Sequence, residues 1–322
     1  MSEGFPRLLG DIGGTHARWA WQAHGGAALE DVVVVADTDS ASLYASAAAY
    51  LERGGHSRPQ WAGIGIATAV TGDEVRMTNH PWSFSINELK RALGLERCLV
   101  INDFTALAMS LPALGPADLR AVGGGAAVAD APIGLLGPGT GLGVSGLMPN
   151  GPGRWSPLSG EGGHVTLAAT DDREAALLAR LRSQHGHVSA ERALSGNGLL
   201  NLYLAICALD GVAPLAVKPA DVTAAAKDGS DAQCLATVRQ FTAFLGNVAG
   251  NLALTLGARG GVYLGGGVVP RLGSAFDASL FRQHFEAKGR FGGYLEPIPS
   301  WVIVAPAPAL LGAARALDLM PA

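Results

Sequence analysis

The chain is short of cysteine, of charge and of aromatic rings, and it has no long hydrophobic run. Only three cysteines, Cys98, Cys207 and Cys234, occur in 322 residues. They are isolated and odd in number, with no Cys-x-x-Cys spacing, which argues against a disulfide framework and against structural zinc. Reduced thiols and a cytoplasmic location are expected. Charged residues make up 16% of the chain, below the usual ~25%. The formal net charge is -4, so there is no electrostatic basis for binding nucleic acid or an anionic membrane. The longest apolar stretches, such as residues 252–256, fall far short of the ~20 residues that span a bilayer. Residues 1–7 lack a basic segment followed by an apolar one, so no signal peptide is expected. No Gly-Lys-[Ser/Thr] phosphate loop and no His-Glu-x-x-His zinc helix is present.

Glycine is abundant, at 45 residues, and hydrophobic residues reach 48%. That balance and length fit two globular α/β domains of roughly 100–200 residues each. Two glycine-rich turns stand out, each leaving a short apolar run. The first is Gly10-Asp11-Ile12-Gly13-Gly14-Thr15 and the second is Gly137-Pro138-Gly139-Thr140-Gly141-Leu142-Gly143. Each reads as strand, turn, strand. Glycine there lets backbone N–H groups approach a phosphate oxygen. A plain hairpin is the competing interpretation of either turn alone. A third cluster, Gly265-Gly266-Gly267, leaves a predicted strand at 262–264, where a flat base can lie against backbone.

Strands are predicted at 7–9, 17–21, 32–35, 61–69 and 98–101, with helices at 42–53, 85–93 and 104–111. Ser85 and Glu88 read as a capping box. A Pro/Gly/Ala-rich stretch at 114–132 marks a boundary. A second meander starts at Ile133, followed by helices at 171–185, 190–192, 199–209 and 231–256. A loop is read at 213–219. The tail carries a strand at 301–304 and a helix at 310–319. The two halves share a plan without a visible sequence repeat.

Polar residues sit at predicted strand ends and on glycine turns. Asn102-Asp103 follows the strand at 98–101, and ligands of α/β sheets collect at such ends. Asp103 is suited to a general base, or equally to the N-cap of the next helix. Glu161 and His164 flank Gly162-Gly163, a carboxylate and an imidazole fit for vicinal hydroxyls, or else a solvated loop. Glu191 adds a further acid, with a surface helical Glu as the alternative. Asp11, beside the first turn, is placed to orient a hydrated Mg²⁺, and Arg18 to neutralise charge.

Taken together these residues resemble the proteobacterial-type glucokinases of the hexokinase/actin-like ATPase superfamily. The likeness runs nearly end to end. It includes Gly10–Thr15, Met77-Thr78-Asn79-His80, Ile101-Asn102-Asp103-Phe104, residues 139–143, residues 160–164, Ser189-Ala190-Glu191-Arg192, Ser195-Gly196, Asn251-Leu252-Ala253-Leu254 and residues 265–271. The resemblance implies a two-lobed actin-like ATPase (ribonuclease H-like) α/β fold with an interlobe active-site cleft. It implies a small domain at 1–113, with the helix at 305–322 packing back on it, and a large domain at 114–304. By resemblance, Gly10, Asp11, Ile12, Gly13, Gly14, Thr15, Gly139, Thr140 and Gly141 hold ATP phosphates, and Gly265, Gly266 and Gly267 lie near adenosine. Asp11 holds Mg²⁺ through water. Asn102, Asp103, Glu161, His164 and Glu191 contact glucose, and Asp103 takes the proton of its 6-hydroxyl. A homodimer is also implied.

Three departures from the family pattern occur. His16 stands where Asn is frequent, Ala69 where Pro is usual, and Ala307-Pro308-Ala309 where Asn-Pro-Gly is usual. The Cys-rich zinc motif of the related ROK sugar kinases is absent. Two rival classes are a non-catalytic sugar sensor on the same fold and an actin-like ATPase that assembles or acts as a chaperone. Asp103 and both phosphate turns argue against the first. The group Glu161, His164 and Glu191 argues against the second.

Overall fold

The computed structural model describes residues 4–78 and 80–319. Its contacts divide the chain into two units. The first is Met1–Gly115, Asn150–Ser159 and Ala305–Ala322; the second is Pro116–Pro149 and Gly160–Val304.

The first unit begins with an antiparallel meander, β1 (Arg7–Ile12), β2 (His16–Gln22) and β3 (Glu30–Ala36). Helix α1 (Leu43–Gly54) leads to β4 (Trp61–Ile66), then a small hairpin of β5 (Glu74–Arg76) and β6 (Ser83–Ser85). Helix α2 (Ile86–Leu93), β7 (Arg97–Asn102) and α3 (Asp103–Ser110) follow. The sheet order is β3-β2-β1-β4-β7, with β1, β4 and β7 parallel. Strand β4 shows how sequence sets the layers. Side chains alternate across a strand. Ala62, Ile64 and Ile66 enter the core shared with Trp19, Leu43 and Leu89. On the other face, Gly63 and Gly65 lie so close to helix backbone and side chains that an added Cβ would stand 2.8 Å from the Ala313 carbonyl and 2.9 Å from Ala106 Cβ, respectively.

Local signals set the helix ends. Ser42 caps α1 by accepting the Ala45 N–H, and Ser85 caps α2 by accepting the Glu88 N–H. Only half of the expected capping box forms. The Ser85 hydroxyl donates to Asp73 at 2.5 Å, and the Glu88 carboxylate lies 3.9 Å from Arg91. Gly94 ends α2 at φ 66°, a conformation that glycine adopts without steric cost.

The second unit repeats the plan. It holds β8 (Leu119–Gly123), β9 (Ile133–Pro138) and β10 (Leu142–Pro149), while β11 (Trp155–Pro157) lies in the segment grouped with the first unit. Helices α4 (Asp172–His185), α5 (Gly196–Asp210), α6 (Pro219–Asp228) and α7 (Ala232–Leu256) precede β12 (Val262–Leu264). Then come α8 (Val268–Leu272), α9 (Ala278–Glu286), α10 (Gly292–Leu295) and β13 (Ser300–Ile303). Within this unit the strands run β10-β9-β12-β13-β8. As in the first unit, an antiparallel hairpin is followed by two parallel strands, β9 beside β12 beside β13. Its core gathers Phe241, Phe244, Phe281 and Phe285 with the leucines of α4 and α5.

The last described element is α11 (Pro308–Leu319), which packs on α3 and β4 within the first unit. Gly312 lies against the Ala106 carbonyl, so closely that any Cβ would collide with it. Arg7 ties the same helix to β1, donating to the Ala314 carbonyl at 3.3 Å and to Asp318 at 2.6 Å.

All three cysteines are free thiols. Burial pushes the Cys98 thiol up to about 12 and is the largest cause of a similar rise to about 12 at Cys234. Both are therefore protonated at neutral pH and poor nucleophiles. No helix among the described residues is long and apolar enough to cross a membrane.

The observed elements differ from the expected ones in a few places. Eight go beyond the sequence reading: β5, β6, β8, β11, α6, α8, α9 and α10. The strand expected at 61–69 ends at Ile66, and the helix expected at 104–111 starts one residue earlier, at Asp103.

Candidate functional site

In the first unit the predicted residues meet at one edge of the sheet. The register pairs Ile12 with Ile66 and Ile66 with Asn102, so β1, β4 and β7 end at one level. The turn after β1 and the pair Asn102-Asp103 therefore share the carboxyl edge. Gly65 lets α3 sit close, since a Cβ there would lie 3.5 Å from the Asp103 Cα and 3.9 Å from the Gly10 carbonyl oxygen.

The capping role goes to Asn102. Its Oδ1 accepts the N–H of Phe104 at 2.9 Å and of Thr105 at 3.2 Å, and its Nδ2 donates to the Thr68 carbonyl at 3.3 Å. Asp103 is the first helical residue, and its Oδ1 accepts the Phe104 N–H at 2.9 Å. The N-cap alternative for Asp103 thus fails, because the residue before it already performs that task.

The first turn is closed by the Gly13 N–H, which donates to the His16 carbonyl at 3.0 Å. That amide is committed to the turn, so Gly14 and Thr15 are the better donors for an anion. Thr15 is exposed, and its hydroxyl lies 3.0 Å from His16 Nδ1, a contact made by the residue that replaces the frequent Asn. Asp11 shares the face of Leu9, two residues away on the strand. Its Oδ2 lies 3.2 Å from Arg18. Burial pushes its carboxyl above the ordinary range, and the Arg18 guanidinium opposes this without cancelling it. Asp37, which sequence reasoning missed, lies beneath this turn. It is wholly buried and neither carboxylate oxygen has a partner, while its N–H donates to the Thr15 carbonyl at 3.1 Å. Burial raises its pKa, opposed by His80 and His16. Asn79, beside His80, lies outside the described residues.

In the second unit the same edge logic recurs. Leu136 of β9 pairs with Leu264 of β12, and the Gly265 N–H donates to the Leu136 carbonyl at 2.9 Å. Both glycine clusters leave adjacent strand ends. Gly266, at φ 73°, packs directly on the Pro138 carbonyl. Glu161 precedes a short 3₁₀ turn that His164 ends, and both are exposed, the His164 N–H donating to the Glu161 carbonyl at 3.0 Å. Gly162 and Gly163 allow that turn to rest on β10, with Gly163 against the Leu142 carbonyl. Glu191 reaches the second glycine turn, its Oε2 accepting the Leu142 N–H at 2.9 Å. Gly139 has no positive φ, and a Cβ there would meet nothing nearer than 4.0 Å. Internal packing therefore does not demand glycine at 139, whereas close approach by a ligand would.

Among the described residues no group of three or more His, Cys, Asp or Glu is arranged to hold a metal ion. Asp11 offers a single carboxylate, a donor set that suits Mg²⁺ bound through water and phosphate oxygens. Neither of two surface cavities of about 450 and 500 Å³ includes a predicted site residue.

Comparison with known proteins decides the family. The glucokinase family profile matches residues 8–320. A glucokinase of Aromatoleum aromaticum is 54% identical over 319 residues, covering 98% of this chain and 96% of the relative. The chain belongs to the glucokinase family. It is an enzyme, a transferase of the kinase class. A glucokinase of Chromobacterium violaceum is 50% identical over 317 residues, covering 98% of this chain and 90% of that relative. The crystal structure of a glucokinase from an Antarctic psychrotroph superposes with TM-score 0.88 at 36% identity, covering 97% of this chain and 98% of that one. The expected actin-like ATPase-type fold is therefore present.

Proposed function

We propose that this chain transfers the γ-phosphoryl group of ATP to the 6-hydroxyl of D-glucose, giving glucose 6-phosphate and ADP. The observation that carries this reading is the shared carboxyl edge of β1, β4 and β7, which sets a phosphate-type turn and Asp103 on one unit. Family membership supplies the reaction class.

Phosphoryl transfer asks for positioning and charge neutralisation more than for covalent chemistry. In this reading the Gly14 and Thr15 amides, with Gly139–Gly141 on the second unit, receive phosphate oxygens, and Gly265–Gly267 lie beside adenosine. Asp11 would hold Mg²⁺ through water, and that ion would neutralise charge on the phosphates. Asp103 accepts the proton of the 6-hydroxyl on its carboxylate. Asn102, Glu161, His164 and Glu191 fix the other hydroxyls. An epimer would leave one of these groups unpaired, at about 1–3 kcal/mol. Under this reading the product enters glycolysis, and the enzyme works in the cytoplasm as a homodimer.

The test is ADP release by the purified protein, with and without glucose, across a panel of hexoses. Glucose-dependent ADP release, with glucose preferred to its epimers, is expected. Sugar-independent hydrolysis, or no turnover with any hexose, contradicts the proposal.

A further inference from the structure

The second glycine turn is gripped from both ends by one short segment, and that segment carries Glu191. At one end the Gly196 N–H donates to the Gly139 carbonyl at 2.8 Å. At the other, the Glu191 carboxylate accepts the Leu142 N–H at 2.9 Å. The turn closes on itself between these points, the Gly139 N–H donating to the Gly141 carbonyl at 2.7 Å. The gripping segment is itself stiff. Ser195 donates to the Glu191 carbonyl at 2.9 Å, and its hydroxyl accepts the Gly198 N–H at 2.9 Å, capping α5. Gly141 makes the approach possible, since any Cβ there would overlap the Glu191 carboxylate.

We propose that Glu191 is a positioning residue for the phosphate turn as well as a sugar contact, so that glucose and nucleotide bind cooperatively through its bond to the Leu142 amide. The inference rests on the proposed glucose kinase reading. A carboxylate has two oxygens. Oε2 is committed to the turn, and Oε1 faces no such demand from Leu142, so a sugar hydroxyl on Oε1 fixes the whole group. Fixing Glu191 orders residues 139–142 before the nucleotide arrives, and the nucleotide then has less ordering left to do. By linkage, nucleotide must tighten glucose by the same factor. The bond involves a charged acceptor and is partly shielded from water, which makes it one of the stronger hydrogen bonds available to the turn.

The experiment measures the Kd of Mg·ADP by titration calorimetry, with no sugar and with glucose at saturation for each variant. ADP cannot be turned over, so binding is read alone. In the unaltered protein glucose is expected to tighten ADP by about fivefold or more. Gly141→Ala pushes the carboxylate off the Leu142 amide, and its backbone conformation tolerates alanine. It is expected to bring the ratio to within about twofold of one while glucose still binds. Glu191→Gln, whose amide oxygen can still accept the Leu142 N–H, is expected to weaken glucose yet keep most of the ratio. A ratio of one in the unaltered protein, or an undiminished ratio in Gly141→Ala, overturns the proposal. Absence of glucose-dependent ADP release would instead refute the underlying functional reading, so the two failures are distinguishable.

Discussion

Asn102 has an observed structural task and a proposed chemical one, and two substitutions separate them. Its Oδ1 satisfies the Phe104 and Thr105 amides at the start of α3. Replacing an N-cap by alanine costs about 0.5–2 kcal/mol. Thr105 is only 2% exposed, so water replaces the lost acceptor poorly and Asn102→Ala belongs in the upper half, about 1–2 kcal/mol. For a unit of this size that is a fall in Tm of roughly 3–8 °C. Asn102→Asp keeps an acceptor and places negative charge at a helix N-terminus, which favours it. It should leave stability within about 0.5 kcal/mol of the unaltered protein. It removes the Nδ2 donor that now bonds to the Thr68 carbonyl, and it alters a side chain proposed to contact glucose. Thermal unfolding by circular dichroism and steady-state kinetics read the two tasks separately. Asn102→Ala should lose both stability and glucose affinity, and Asn102→Asp only the latter, through a raised glucose KM. Equal Tm losses in both variants would refute the capping argument. An unchanged glucose KM in Asn102→Asp would remove Asn102 from the sugar site.

Asp11→Asn should raise the Tm of the ligand-free protein at neutral pH while weakening Mg·ATP binding. Burial raises the native pKa of Asp11 above 3.8, so the ionised group destabilises the fold above that raised value. The stability gap between variant and parent should therefore shrink as pH falls through the raised native value towards 3.8, and a gap independent of pH would contradict the assignment. Ala307→Asn should stabilise by about 0.5–1 kcal/mol, because Ala307 sits at φ 48° in a region that costs an alanine roughly 1–2 kcal/mol and that asparagine tolerates better. An unchanged or lower Tm would show that the strain is absorbed elsewhere.

Much of this architecture was legible because short-range chemistry fixed it. Ser42, Ser85, Asp171 and Asp231 all cap the helices read after them, and both hairpins form at the glycine turns. The missed elements have identifiable physical reasons. Pro219 reads as the edge of a loop, yet it occupies the first position of α6, where a missing N–H costs nothing. Strand β8 lies in a Pro/Gly/Ala-rich stretch, and it exists because it pairs antiparallel with β13, far away in sequence. The Phe281 and Phe285 spacing in α9 was a usable signal, with Asp277 as its cap. In the site, Asn102-Asp103 was legible as a pair at a strand end, but its division of labour was not. Asp and Asn cap equally well, and only the observed helix start decides between them. The bond between Glu191 and Leu142 spans 49 residues, beyond the reach of any local pattern.

Asp103 is the proposed base that removes the proton from the acceptor hydroxyl. Its most direct test is the turnover of Asp103→Asn with saturating ATP and glucose, set beside the glucose Kd of the same variant. A kcat lower by about a hundredfold or more is expected, with glucose Kd changed far less. A turnover within a few-fold of the unaltered protein, at intact glucose binding, would contradict it.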